Sequence, residues 1–191
     1  MSAIIVDASV AVKWFFLEPH AQAARRVLSG RRTLLAPELI WAEVANVLWK
    51  RVQRKELTPE AAWQILQDFK RFPLHTAPIK TLLELAWRLA VEHRISVYDG
   101  LYLALAVSRE CKLVTADRPF HDAIKAGALA SSIIFAGSSS VCSVSPLATN
   151  SLRRLMMPPA RSAWSPARSS APRSFARSGF GPSSKVTDPF I

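Results

Sequence analysis

Apolar residues along this chain alternate between short continuous runs and longer stretches with helical spacing. Ala3-Ile4-Ile5-Val6 is a run of the first kind and predicts a strand buried on both faces. Asp7 follows, then a helical stretch that breaks near Glu18-Pro19 and resumes over residues 21–28. Thr33-Leu34-Leu35-Ala36 predicts a second strand, and Pro37, suited to a first helical turn, opens a helix to about Lys55. On that helix Ile40, Trp41, Val44, Ala45, Val47, Leu48 and Val52 share one broad face. Thr58-Pro59-Glu60 starts the next helix, with Thr58 as cap, which runs to about Phe72. Leu74-His75-Thr76 reads as a third strand, residues 79–93 as an amphipathic helix, and Ser96 opens another helix to about Glu110. Residues 112–115 make a fourth strand, 117–126 a short helix ended by Gly127, and 132–135 a last strand. Strands separated by helices imply an α/β domain with a mostly parallel sheet covered on both sides.

Composition changes the picture near Gly137. Residues 1–137 hold 18 Lys and Arg against 13 Asp and Glu, whereas residues 138–191 hold 7 against 1. The shorter piece thus carries more than half of the +11 net charge, and its 54 residues include 14 Ser and 7 Pro without a sustained hydrophobic period. Residues 1–137 are therefore read as the folded domain and 138–191 as a disordered, low-complexity basic tail. The tail is either an RNA-attracting arm or an inert extension, such as a readthrough or shifted-frame product. Cys111 and Cys142 cannot build a disulfide framework, and no Cys/His pair has zinc spacing. The apolar start lacks a basic leader region, and no uninterrupted apolar run approaches the ~18 residues of a membrane span. A soluble, cytoplasmic protein is expected.

The candidate chemistry is acidic. In open parallel sheets ligands bind at the carboxyl ends of the strands. Asp7 lies just past the first strand, Asp117 just past the fourth, and Asp99 in the first turn of the helix before the fourth. Each also has a structural explanation, since Asp7 and Asp117 suit helix N-caps and Ser96 with Asp99 resembles a capping box. Glu43 borders an apolar stripe, with Leu39, Ile40 and Val47 three or four residues away. It either bends out to solvent or faces the same crevice, where an unpaired burial costs several kcal/mol. Carboxylates sharing a crevice repel by ~4 kcal/mol per pair at 4 Å and an effective dielectric of 20. A divalent cation makes such a cluster tolerable, and all-oxygen ligands select Mg²⁺ or Mn²⁺ over zinc. A carboxylate-held Mg²⁺ suits phosphodiester hydrolysis.

Four short pieces, in this order and spacing, resemble the PIN-domain ribonucleases of the VapC toxin type. They are Ile5-Val6-Asp7-Ala8-Ser9, Glu38-Leu39-Ile40-Trp41-Ala42-Glu43-Val44, Tyr98-Asp99-Gly100-Leu101-Tyr102-Leu103-Ala104 and Thr115-Ala116-Asp117-Arg118-Pro119-Phe120. The likeness covers about residues 2–136. It implies a three-layer α/β/α fold and a Mg²⁺-dependent endoribonuclease, with a cognate VapB-like antitoxin and a homodimer as its assemblies. Asp7 and Asp99 are then the main metal ligands, and Glu43 and Asp117 complete the acidic quartet. Ser9 and Thr115 match small hydroxyl positions that orient a carboxylate or water. Asn46, one turn beyond Glu43, is a supporting residue or a solvated one. Gly100 departs from the family, which often has alanine there, at a helix-interior cost of up to ~1 kcal/mol.

The remaining features have plain readings beside functional ones. Arg25-Arg26, Arg31-Arg32 and the cluster Lys50, Arg51, Arg54, Lys55 are either solvated faces or RNA-phosphate contacts. Trp41, Trp49, Trp63 and Trp87 read as core or interface residues rather than base-stacking platforms. His20, His75, His93 and His121 read as surface or satisfied histidines. A phosphoaspartate enzyme fits less well, because such phosphatases want an Asp where Ser9 stands. The other alternative is a non-catalytic module acting through an antitoxin–operator complex.

Overall fold

The computed structural model describes residues 3–28 and 32–138. Strands β1 (Ala3–Val6), β2 (Thr33–Pro37), β3 (Leu74–Ala77), β4 (Lys112–Thr115) and β5 (Ile133–Phe135) form one five-stranded sheet in the order β3-β2-β1-β4-β5. Every pairing is parallel, with Ile5 opposite both Leu35 and Leu113. The central strand is sealed from water because helices cover both faces: Ile4, Ile5 and Val6 are buried. The strand order reverses direction at β1, which is where an open parallel sheet makes its crevice.

The helices are α1 (Ala8–Val12), α2 (Ala21–Leu28), α3 (Leu39–Gln53), α4 (Pro59–Lys70), α5 (Ile79–His93), α6 (Val97–Ser108) and α7 (Arg118–Lys125), with a 3₁₀ turn at Ala130–Ser132. Thr58 caps α4 by accepting the Ala61 N–H at 3.2 Å, ahead of Pro59. Pro37, however, ends β2 instead of opening α3. It pairs with Ala77 in register, and Glu38 N–H donates to the Ala77 carbonyl at 2.9 Å, so strand pairing overrides the local preference of proline.

The named tryptophans divide between core and surface. Trp49, Trp63 and Trp87 lie on amphipathic helices yet are exposed, and only Trp41 of the named four packs on the core. The buried indole is Trp14, which stacks on Phe72 at 5.1 Å and donates its N–H to the Ala24 carbonyl at 3.1 Å. His93 departs from expectation, since among the described residues its buried Nε2 has no hydrogen-bond partner, with Glu92 Oε1 at 3.9 Å. Residues 139–191, Cys142 among them, and Arg31 lie outside the described residues, as therefore does all of the expected tail beyond Ser138.

α6 is apolar almost all round, with Gly100 through Ala106 buried, and it crosses against α5. Gly100 makes that crossing possible, because a Cβ there would meet the Ala86 carbonyl oxygen at 2.6 Å. The glycine is thus a packing requirement. Gly100→Ala should lower stability by about 1–3 kcal/mol through overpacking, outweighing the ~1 kcal/mol of helix propensity it restores. Denaturant unfolding checks this, and an unchanged or raised midpoint contradicts it.

Candidate active site

β1 delivers Asp7 to the carboxyl edge of the sheet, where its N–H still bonds the Val114 carbonyl at 3.1 Å. Asp7 stands at the N-cap position of α1 but makes no side-chain cap. Its Oδ2 instead accepts from Ser9 Oγ at 2.5 Å and from Thr115 Oγ1 at 2.6 Å. Those hydroxyls are oriented in turn. Ser9 Oγ accepts the Ala116 N–H at 2.9 Å and Thr115 Oγ1 the Asp117 N–H at 3.0 Å, so both hydroxyl protons turn toward the carboxylate. This lattice ties the loop after β1 to the loop after β4, and Asp7 and Thr115 are the buried polar residues among those described.

The other acids come from helices. Ser96 caps α6 by accepting the Asp99 N–H at 3.0 Å, and its hydroxyl donates to Asp99 Oδ2 at 2.7 Å, so the capping arrangement exists and holds the carboxylate. Asp117 is a true N-cap of α7, with Oδ1 accepting the Phe120 N–H at 2.9 Å. Glu43, on α3, accepts from the Tyr102 hydroxyl at 2.5 Å. Asn46, one turn on, is exposed and shares no hydrogen bond with an acid among the described residues.

Electrostatics links these separate anchors. Burial pushes the Asp7 carboxyl up, against the pull of the Ser9 and Thr115 hydroxyls, and the charge of Asp99 pushes the same way. Burial raises Glu43 to about 7, the Tyr102 hydroxyl opposes this, and Asp7 and Asp99 add to it. Asp99 is raised by burial, with Ser96 opposing and Asp117 reinforcing. No basic side chain figures among these influences. The acids are thus linked in sequence: Asp117 acts on Asp99, Asp99 on Asp7, and Asp7 and Asp99 on Glu43. As they stand, no three acidic, histidine or cysteine side chains among the described residues converge to hold a metal ion. The donor set itself fits a hard cation, being all carboxylate.

Tyr102 is the member of this group that reading the sequence overlooks. It lies three residues after Asp99 on the buried helix, where a phenol needs a partner. That need was the available signal. In the basic cluster at the end of α3, Arg51 pairs with Glu18 and with Glu56 and lies over Phe16 at 4.0 Å, while Lys50, Arg54 and Lys55 are exposed.

Comparison with known proteins decides the family. The PIN-domain family model matches residues 4–125. The chain belongs to the PIN-domain family. Ribonuclease VapC3 of Pyrobaculum aerophilum is 34% identical to this PIN domain over 119 residues, 60% of this chain and 89% of that protein. VapC ribonuclease Mb0985 of Mycobacterium bovis is 33% identical over 119 residues, 62% of this chain and 89% of the relative. The crystal structure of PAE2754 from Pyrobaculum aerophilum matches the PIN domain with a TM-score of 0.54 at 25% identity, covering 74% of this chain and 93% of that one. The expected α/β/α architecture around a parallel sheet is thereby established. Among the described residues no helix is long and apolar enough to cross a membrane.

Proposed function

We propose that this chain is a Mg²⁺-dependent endoribonuclease and the toxin of a VapBC-type toxin–antitoxin pair. One observation carries the reading: Asp7 is buried at the carboxyl end of the central strand, where the charge of Asp99 reaches it and its own charge reaches Glu43. The similarity to proteins named VapC ribonucleases supplies the substrate class. Asp7 and Asp99 would hold the ion, with Glu43 and Asp117 as further ligands. When bound, Mg²⁺ (or Mn²⁺) lowers the pKa of a water and offsets charge on the phosphorane-like transition state. The chain's own residues set the stage for that chemistry. Ser9 and Thr115 fix the rotation of Asp7, Tyr102 fixes Glu43, and Ser96 fixes Asp99.

A cognate VapB-like antitoxin and a homodimer belong to the same reading, in the cytoplasm. The antitoxin would place a basic side chain, most simply an arginine, among the carboxylates in place of the metal. The test is cleavage of RNA by the purified full-length chain against Mg²⁺ concentration and in EDTA. Cleavage that EDTA abolishes is expected. Absence of cleavage at any Mg²⁺ concentration would return the chain to a non-catalytic PIN module acting through its antitoxin complex.

Thr115→Val probes the support of Asp7. The substitution keeps shape but removes one donor to Asp7 and the acceptor of the Asp117 N–H. Stability should fall by about 1–3 kcal/mol. Activity at limiting Mg²⁺ should fall by roughly 10–100-fold, the range for partners that orient metal ligands. Paired denaturation and Mg²⁺ titration read both, and wild-type Mg²⁺ dependence in the variant would release Thr115 from this role.

A further inference from the structure

Phe135 closes β5 in register with Thr115, so the two side chains stand on the same face of the sheet, one strand apart. Thr115 holds Asp7 there, and the Phe135 ring is the next feature along the carboxyl edge. The ring is nearly buried, and its cover is basic. The Arg118 guanidinium lies over it at 3.9 Å from the centroid, the His20 ring meets it edge-on at 5.3 Å, and the His121 ring tilts against it at 5.6 Å.

Arg118 directly follows Asp117 in the chain and is exposed. Among the described residues it makes no ion pair, although Asp122 feels its charge. That carboxylate is engaged by Lys125 at 2.9 Å and His121 at 3.1 Å. A guanidinium stacked on an aromatic ring keeps its in-plane donors available and has already lost much of its rotamer freedom. It is pre-organised for a phosphate. A crevice lined by carboxylates repels a polyanion, so an RNA strand lying across it must be gripped from beside it.

His20 also borders a recess of about 460 Å³ whose lining includes Gln22, Arg26, Ser138 and Glu18, the last a carboxylate already paired with Lys13 and Arg51. This volume falls in the usual range of small-ligand sites. His20 adopts a left-handed φ of 67°, and a Cβ at Gly137 would strike its ring at 2.6 Å. The glycine is what lets the imidazole occupy that place.

We propose that Arg118 on Phe135, with His20 and its recess, forms a subsite for the RNA nucleotide flanking the cleaved bond. Arg118 grips the neighbouring phosphate, and the recess beside His20 takes the flanking base. The subsite rests on the ribonuclease reading, and its test separates the two.

The full-length protein is titrated with a fluorescent short single-stranded RNA in Ca²⁺, and cleavage kinetics are measured in Mg²⁺. Arg118→Gln should weaken binding and raise KM about tenfold, the size of a lost charged hydrogen bond, with kcat near wild type. The slope of log affinity against log salt should shrink by about 0.7, one single-strand phosphate contact. His20→Ala should raise KM severalfold with no change of slope. Arg118→Lys should keep the slope while losing part of the affinity, and it carries the test where the Gln variant does not fold. Wild-type cleavage with unchanged binding and slope in the Arg118 variants overturns the subsite and leaves the nuclease standing. A fall in kcat alone overturns it as well. Binding that depends on Arg118 without any cleavage supports the subsite and overturns the nuclease reading. A wild-type protein that neither binds nor cuts RNA overturns both.

Discussion

Asp7→Asn should abolish RNA cleavage at neutral pH while leaving the metal-free protein at least as stable as wild type. The amide has nearly the shape of the carboxylate, and its carbonyl oxygen can accept both the Ser9 and the Thr115 hydroxyls. What disappears is a buried charge that desolvation and Asp99 both disfavour. Relief of that cost raises or preserves the melting temperature in EDTA. The same loss weakens the ion's hold, so activity should drop by more than the roughly 100-fold that outer partners command. Asp99→Asn should behave alike, because the amide carbonyl oxygen can still accept the Ser96 hydroxyl and Ser96 remains the cap. Cleavage against Mg²⁺ concentration, with melting curves in Mg²⁺ and in EDTA, checks both. Mg²⁺ should raise the wild-type melting temperature and raise that of the variants less. Near-wild-type cleavage by Asp7→Asn at low millimolar Mg²⁺ would sink the assignment.

The metal-free protein should lose stability as pH rises from about 5 to about 7.5, opposite to an ordinary salt-bridged carboxylate. Glu43 has its folded pKa raised from 4.5 to about 7. Through that window the folded state keeps a proton that the unfolded chain has released, so each step upward in pH favours unfolding. Asp7 and Asp99 are shifted in the same direction and add to the slope. Bound Mg²⁺ competes with those protons, so stabilisation by the ion should be larger at the upper end of the range. Thermal melts across the window in EDTA and in Mg²⁺ measure this. Glu43→Gln should flatten the EDTA profile, and a metal-free profile that rises with pH in wild type and variant alike would contradict the account.

Much of the frame is readable from local pattern. β1 is a continuous apolar run, β4 carries Leu113 and Val114 at its centre, and the limits expected for α5 coincide with its observed span. What escapes local reading is set by partners distant in the chain. Pro37 looks like a helix opener until β3, whose Ala77 pairs with it, is in place. Tyr102 looks like core, and its hydroxyl acquires meaning only when Glu43, 59 residues earlier, arrives opposite it. Gly100 looks like a weak point until the Ala86 carbonyl is seen against it. Trp49, Trp63 and Trp87 mark a further limit, since helical spacing cannot tell a face turned into the chain's own core from one left outside it.

The close crossing of α5 and α6 makes these two helices a single unit of inheritance. α6 brings Asp99 on its first turn and Tyr102 three residues later, so one rigid body sets an acid and the tether of another acid. Contact between backbones at Ala86 and Gly100 leaves no side chain to trim when the separation changes. A drift in α5 is therefore transmitted to both acids at once, and substitutions along the pair combine non-additively. Recombination between related chains would preserve the site when α5 and α6 move together. A crossover in the short connection between them would join two helices cut to different separations.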